Sequence, residues 1–269
     1  MMSHETYVQT ISFIFGMMVG SFGNVVIYRL PLALNLVSPR SHCGKCKTPI
    51  SWYENIPLLS FLALRGRCGH CGISIGWIHP IVEVVVGFFA MACVIRFGLT
   101  FQAVYFFVLL TALLIASLID LEHRIIPDSI SLGGMVISFL IAGLFQWANK
   151  SWHISFMDSF LGLVVGGGFL WAIAWGYEKL TGREGMGFGD VKLVALFGAA
   201  GGWQAAIFSI FIGSMLGSVV GLFLILVQNK NRRTAIPFGP FLCFGFFLVL
   251  LHMLNIIHIP LQWTNAIGF

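Results

Sequence analysis

Eight stretches of this chain are apolar for long enough, or nearly so, to enter a bilayer: roughly residues 8–28, 78–97, 101–119, 129–147, 158–176, 190–203, 205–227 and 237–258. A spanning helix needs about 20 predominantly apolar residues. With 58% hydrophobic and 9% charged residues and a mean hydropathy of +0.92, the chain lies far outside the range of a soluble globular domain. The runs therefore predict an all-α polytopic membrane protein of about eight transmembrane helices. The sixth run is short, and the second and third are close enough to read as one hairpin. No Lys or Arg precedes the first run and no small-residue cleavage site follows it, so it is expected to stay as an anchor, not to be removed as a signal peptide.

A net charge of +5 could point to nucleic acid, but its distribution points to topology. Lys and Arg gather in alternate loops, 29–77, 120–128, 177–190 and 228–236, whereas the other loops hold only Arg96 and Lys150. The positive-inside bias makes the first set cytoplasmic and both termini periplasmic. No nucleic-acid partner is expected, because no basic run is interleaved with aromatics.

One loop is long enough to be more than a connector. Residues 29–77 carry "CGKC" (Cys43, Cys46) and "CGHC" (Cys68, Cys71), and two CxxC pairs of this kind complete a tetrahedral zinc site. Paired disulfides or a redox CxxC are the competing chemistries, and disulfides do not persist in a reducing cytoplasm. A segment this small has too little core to fold without such a staple. The expected division is a first helix (1–28), a cytoplasmic zinc-binding loop domain (29–77) and a seven-helix membrane domain (78–269).

Ionisable residues inside spans are costly and mark function. Here they are Glu83, Asp120, Asp190 and Lys192. Following the chain through its topology, Asp120 closes the third run and Asp190 opens the sixth, so both fall at the cytoplasmic edge. Two carboxylates brought together cannot both ionise, leaving one acid and one base, as an aspartyl protease requires. A proton or cation pathway fits the pair equally well. A helix-terminal cap explains Asp190 but not Asp120, whose position at a C-terminal end disfavours negative charge. In "GMGFGD" the glycines, Gly187 and Gly189 among them, leave room for a substrate backbone beside Asp190; the spacing is wrong for a phosphate loop. Lys192 could reach a lipid phosphate, a carboxylate or the substrate. Glu83 and Asn24 read as polar packing residues or as part of a second site.

Taken in order, "GSFGNVVIYRLP", "SHCGKCKTPISWYENIPLLSFLALRGRCGHCG", "HPIVE", "IDLEHRIIPD", "GMGFGDVKL" and "PFGPFL" resemble the type IV prepilin peptidases, membrane enzymes of the GxGD aspartyl protease class. The resemblance spans nearly the whole chain. It implies that Asp120 and Asp190 are the catalytic pair, that Gly187, Gly189 and Lys192 support them, and that Cys43, Cys46, Cys68 and Cys71 hold structural zinc. It further implies an inner-membrane enzyme that cuts the leader from prepilins or pseudopilins and N-methylates the new terminus with S-adenosylmethionine, with Asn24 and Glu83 as candidates for that cofactor's site. A peptidase-only relative and a non-enzymatic ion-coupled transporter or assembly scaffold are the alternatives.

Overall fold

The computed structural model describes residues 4–183, 185–228 and 237–253. Among them the regular structure is helical: α1 (His4–Arg29), a 3-10 turn (Trp52–Asn55), α2 (Leu59–Ala63), α3 (Ile78–Phe97), α4 (Phe101–His123), α5 (Asp128–Trp147), α6 (Phe156–Thr181), α7 (Phe188–Gln228) and α8 (Gly239–Met253). Six of these are long and apolar enough to cross a membrane, and α8 is a shorter apolar helix. The chain is thus a multi-pass membrane protein. The basic residues Lys230, Arg232 and Arg233, and the end of the expected 237–258 run, lie outside the described residues.

Contacts divide the chain into two units, 1–115 and 116–269, with the boundary inside α4. In the first unit α1 lies antiparallel against α3. The contact is close because glycines line it: a Cβ at Gly16 would come 2.7 Å from Ala90 Cβ, and one at Gly20 would come 2.8 Å from Glu83 Cα. The opening of α4 joins this pair through Phe97 and Phe106, stacked with centroids 5.0 Å apart. Small residues allow such approach where lipid offers no hydrophobic drive for helix association.

The second unit comprises the end of α4 and helices α5 to α8. α6 begins at Ser155, whose Oγ accepts from the Asp158 N–H at 3.0 Å, and ends at the left-handed Gly182, which donates to the Glu178 carbonyl. The expected runs 190–203 and 205–227 form one element, α7, broken at Gly202, where φ 82° and ψ 174° leave helical geometry. The halves fold back on each other, since Gly166 of α6 faces both Val194 and Ala206. A broken helix leaves carbonyls without intrahelical donors. Two neighbours supply them: Ser159 Oγ donates to Ala199 O at 2.7 Å, and His153 Nε2 donates to Ala200 O at 2.6 Å. α8 runs antiparallel to the second half of α7, with Gly245 against Ser209 and Gly217 against Phe241, and Phe246 stacks on Phe197 at 4.4 Å.

Candidate active site

At one end of the second unit three chain segments converge. α4 brings Asp120 in its last turn, α7 brings Asp190 in its first, and α8 begins there with Gly239. Both carboxylates are buried, at 6% and 8% exposure. The backbone N–H of Gly239 donates to Asp120 Oδ2 at 3.0 Å. No donor among the described residues serves the carboxylate of Asp190, whose own N–H returns to the Gly187 carbonyl at 3.1 Å.

Ile126, in the connector that follows α4, abuts the two glycines next to the aspartates, Gly189 and Gly239. A Cβ on Gly189 would stand 3.2 Å from Ile126 Cβ, and one on Gly239 would stand 3.1 Å from Ile126 Cδ1. A Cβ on Gly187 would meet Asp190 Oδ2 at 3.8 Å, ordinary contact distance, so tightness is concentrated at Gly189 and Gly239. Lys192 turns to Asp128 at the start of α5, with Nζ 2.7 Å from Oδ1, and its ammonium lies 5.2 Å from the Phe188 ring centroid. It ties the opening of α7 to the opening of α5. Neither Gly239 nor Ile126 was assigned a role by sequence reasoning. The available signal was "PFGPFL", in which a glycine stands where helix N–H groups have no internal partner.

The four cysteines of the 29–77 loop also converge, their sulfur atoms all lying within 4.8 Å of one another. Cys43 Sγ and Cys71 Sγ are 3.7 Å apart, against about 3.8 Å expected for tetrahedral sulfurs around zinc at Zn–S 2.3 Å. Each CxxC is a matching turn: the N–H groups of Cys43 and Lys47 pair with Thr48 O and Cys43 O, and those of Cys68 and Gly72 with Ile73 O and Cys68 O. The left-handed residue closing each turn is Lys47 in one and Gly72 in the other. Hydrogen bonds from the Thr48 side chain and backbone hold the Cys46 thiol down at about 6, and N–H groups of Cys71 and His70 lower that of Cys68. At Cys71 the backbone hydrogen bond from Ile73 is outweighed by desolvation and by the crowding of the other sulfurs, which push the thiol up to about 11; the four sulfurs fit zinc by their tetrahedral spacing.

Asn24 and Glu83 sit one turn apart along the α1–α3 contact. Asn24 Nδ2 donates to the His79 carbonyl at 3.1 Å, and the buried Glu83 accepts from the Leu58 N–H at 2.8 Å. The latter bond anchors the loop at a residue with positive φ, 60°.

Comparison with known proteins shows the family. Residues 14–97 match the model of the bacterial peptidase A24 N-terminal domain, and residues 107–222 match that of the type IV leader peptidase family. Among curated relatives, the prepilin leader peptidase/N-methyltransferase of Pseudomonas putida is 37% identical over 91% of both chains. The protein of that name in Pseudomonas aeruginosa is 35% identical over 93% of this chain and 92% of its own, and that of Myxococcus xanthus is 40% identical over 81% of this chain and 63% of its own. No solved structure gives a significant match. With two domain models in order and the two Pseudomonas relatives matched along nearly their full length, the chain belongs to the type IV leader peptidase family.

Proposed function

We propose that this protein cleaves the leader from type IV prepilins or pseudopilins with Asp120 and Asp190 as its catalytic pair, and then N-methylates the exposed terminus. One observation carries the reading: two buried carboxylates on different helices meet at the same end of the second unit, one of them held by a backbone N–H. Such a pair can take a proton from water and give one to a peptide carbonyl, hydrolysing the bond without a covalent intermediate. Gly187 and Gly189 leave the substrate strand room beside Asp190. The relatives' shared name supports both activities and the prepilin substrate.

The charge distribution supports an inner-membrane orientation with the 29–77 loop and the dyad cytoplasmic and both termini periplasmic. A leader on the cytoplasmic side, joined to an apolar pilin helix, then reaches the dyad at the membrane edge. Zinc, held by Cys43, Cys46, Cys68 and Cys71, staples the loop. S-adenosylmethionine supplies the methyl group in the second reaction. Asn24 and Glu83, each with a backbone partner, remain the candidates for that cofactor's site.

Asp120→Asn and Asp190→Asn should each lower prepilin cleavage by at least about 100-fold, measured with purified enzyme in liposomes, while a pre-cut pilin is still methylated. Cleavage retained in either variant would overturn the dyad. Aspartate-dependent ion flux without proteolysis would instead make the protein a transporter.

A further inference from the structure

We propose that Gly239 is a positioning residue of the peptidase reaction: its backbone N–H fixes Oδ2 of Asp120 as an acceptor, so that Asp190 carries the dyad's proton and Asp120 is the base. The inference rests on the dyad reading above.

An N–H donated to a carboxyl oxygen stabilises the ionised form of the group. The 3.0 Å contact from Gly239 therefore favours the carboxylate on Asp120, whereas nothing of the kind serves Asp190 among the described residues. The donor is available because Gly239 is the first residue of α8, where the N–H has no carbonyl of its own helix to serve. Pro240, next along, has no N–H to compete. The following donors, those of Phe241 and Leu242, turn back to the Phe238 carbonyl.

Glycine is demanded by space. A Cβ at position 239 would stand 2.7 Å from Asp120 Oδ2 and 3.1 Å from Ile126 Cδ1. Since Ile126 also abuts Gly189, the residue before Asp190, one isoleucine fills the gap between the glycine that holds Asp120 and the glycine that precedes its partner. Displacing either edge changes the relation of the two carboxylates.

The division of roles completes a balanced cycle. Water forms a bond from its oxygen to the scissile carbonyl carbon and gives one proton to Asp120, while the proton on Asp190 passes to the carbonyl oxygen. Collapse of the diol breaks the C–N bond; the proton on Asp120 goes to the leaving amine, and a hydroxyl proton of the diol returns to Asp190.

The test removes the N–H alone. Full-length enzyme carrying glycolate in place of Gly239, an amide-to-ester change, is compared with the unaltered protein on purified prepilin in liposomes. Expected are a fall in kcat of about tenfold with KM within about twofold, and a movement of the acid limb of the kcat–pH profile toward higher pH. Gly239→Ala should lose more, and adding Ile126→Val to it should restore at least about threefold, because the shorter side chain lets the start of α8 draw back. An ester variant with unchanged kcat and pH profile overturns the proposal, as does a loss that is uniform across pH. With Asp120→Asn and Asp190→Asn inactive in the same assay, that outcome removes the role of Gly239 and leaves the dyad standing; active Asn variants remove the dyad itself.

Discussion

His153 shows how a single side chain can make a membrane protein sensitive to acid away from the aspartate pair. It lies in the connector before α6 and caps the first half of α7 through Ala200 O. Burial pushes its imidazole down from 6.5 to about 4, so the folded protein holds it neutral while the unfolded chain protonates it below about 6.5. The unfolded state then binds more protons, and stability falls as pH drops. The contribution is complete above about pH 6.5 and is lost on the way down to about 4; a shift of this size is worth roughly 3 kcal/mol. The melting temperature of detergent-solubilised protein should fall across that window, and His153→Gln should flatten the dependence. None of this was visible in the sequence, because a histidine in a polar connector gives no sign that a distant helix will break beside it. Asp128 escaped notice for the same reason: only the fold shows that it answers Lys192. Asp120 and Asp190 were legible because a carboxylate in an apolar run is its own signal.

Glycine sets the spacing of the helices, and not every glycine matters equally. On α6, a Cβ at Gly162 would overlap the backbone carbonyl of Gly198 on α7, whereas one at Gly168 would meet nothing within 4 Å. Gly162→Ala should therefore cost about 1–3 kcal/mol or more, read as lost thermal stability in detergent, while Gly168→Ala should be silent. Both glycines look alike in an apolar run, and only the crossing partner separates them. Helix limits were far more readable. Runs expected at 78–97 and 129–147 correspond to α3 (Ile78–Phe97) and α5 (Asp128–Trp147), because apolar length fixes a span whatever it packs against. The two runs that merge in α7 meet at Gly202, a break anticipated by their separation but not by any proline.

At the scale of the whole molecule, the proposed zinc and the membrane would act on different parts of the chain. The 29–77 loop has few buried side chains, Phe61 being the principal apolar one, so its order is expected to depend on the cysteine cluster. Purified protein should carry about one zinc per chain in tetrahedral sulfur coordination, and Cys46→Ser should reduce the metal content, read by elemental analysis, and open the loop to limited proteolysis. Protein with no bound metal, yet a protease-resistant loop, would show that the cysteines hold it by other means. The CxxC spacing made the convergence of the four cysteines legible from sequence alone, since two tight turns determine most of its geometry.

The break at Gly202 has a consequence for where the first half of α7 ends in the bilayer. Twelve residues separate it from Asp190, a helical rise of about 18 Å, whereas the hydrocarbon core is about 30 Å thick. The two ends of that half-helix cannot both reach the headgroups of an undeformed bilayer. Since every residue from Leu193 to Gly202 is buried in protein, the shortfall of roughly 12 Å is enclosed by neighbouring helices and not by acyl chains, and a sunken helix end costs little because side chains of those neighbours satisfy its carbonyls.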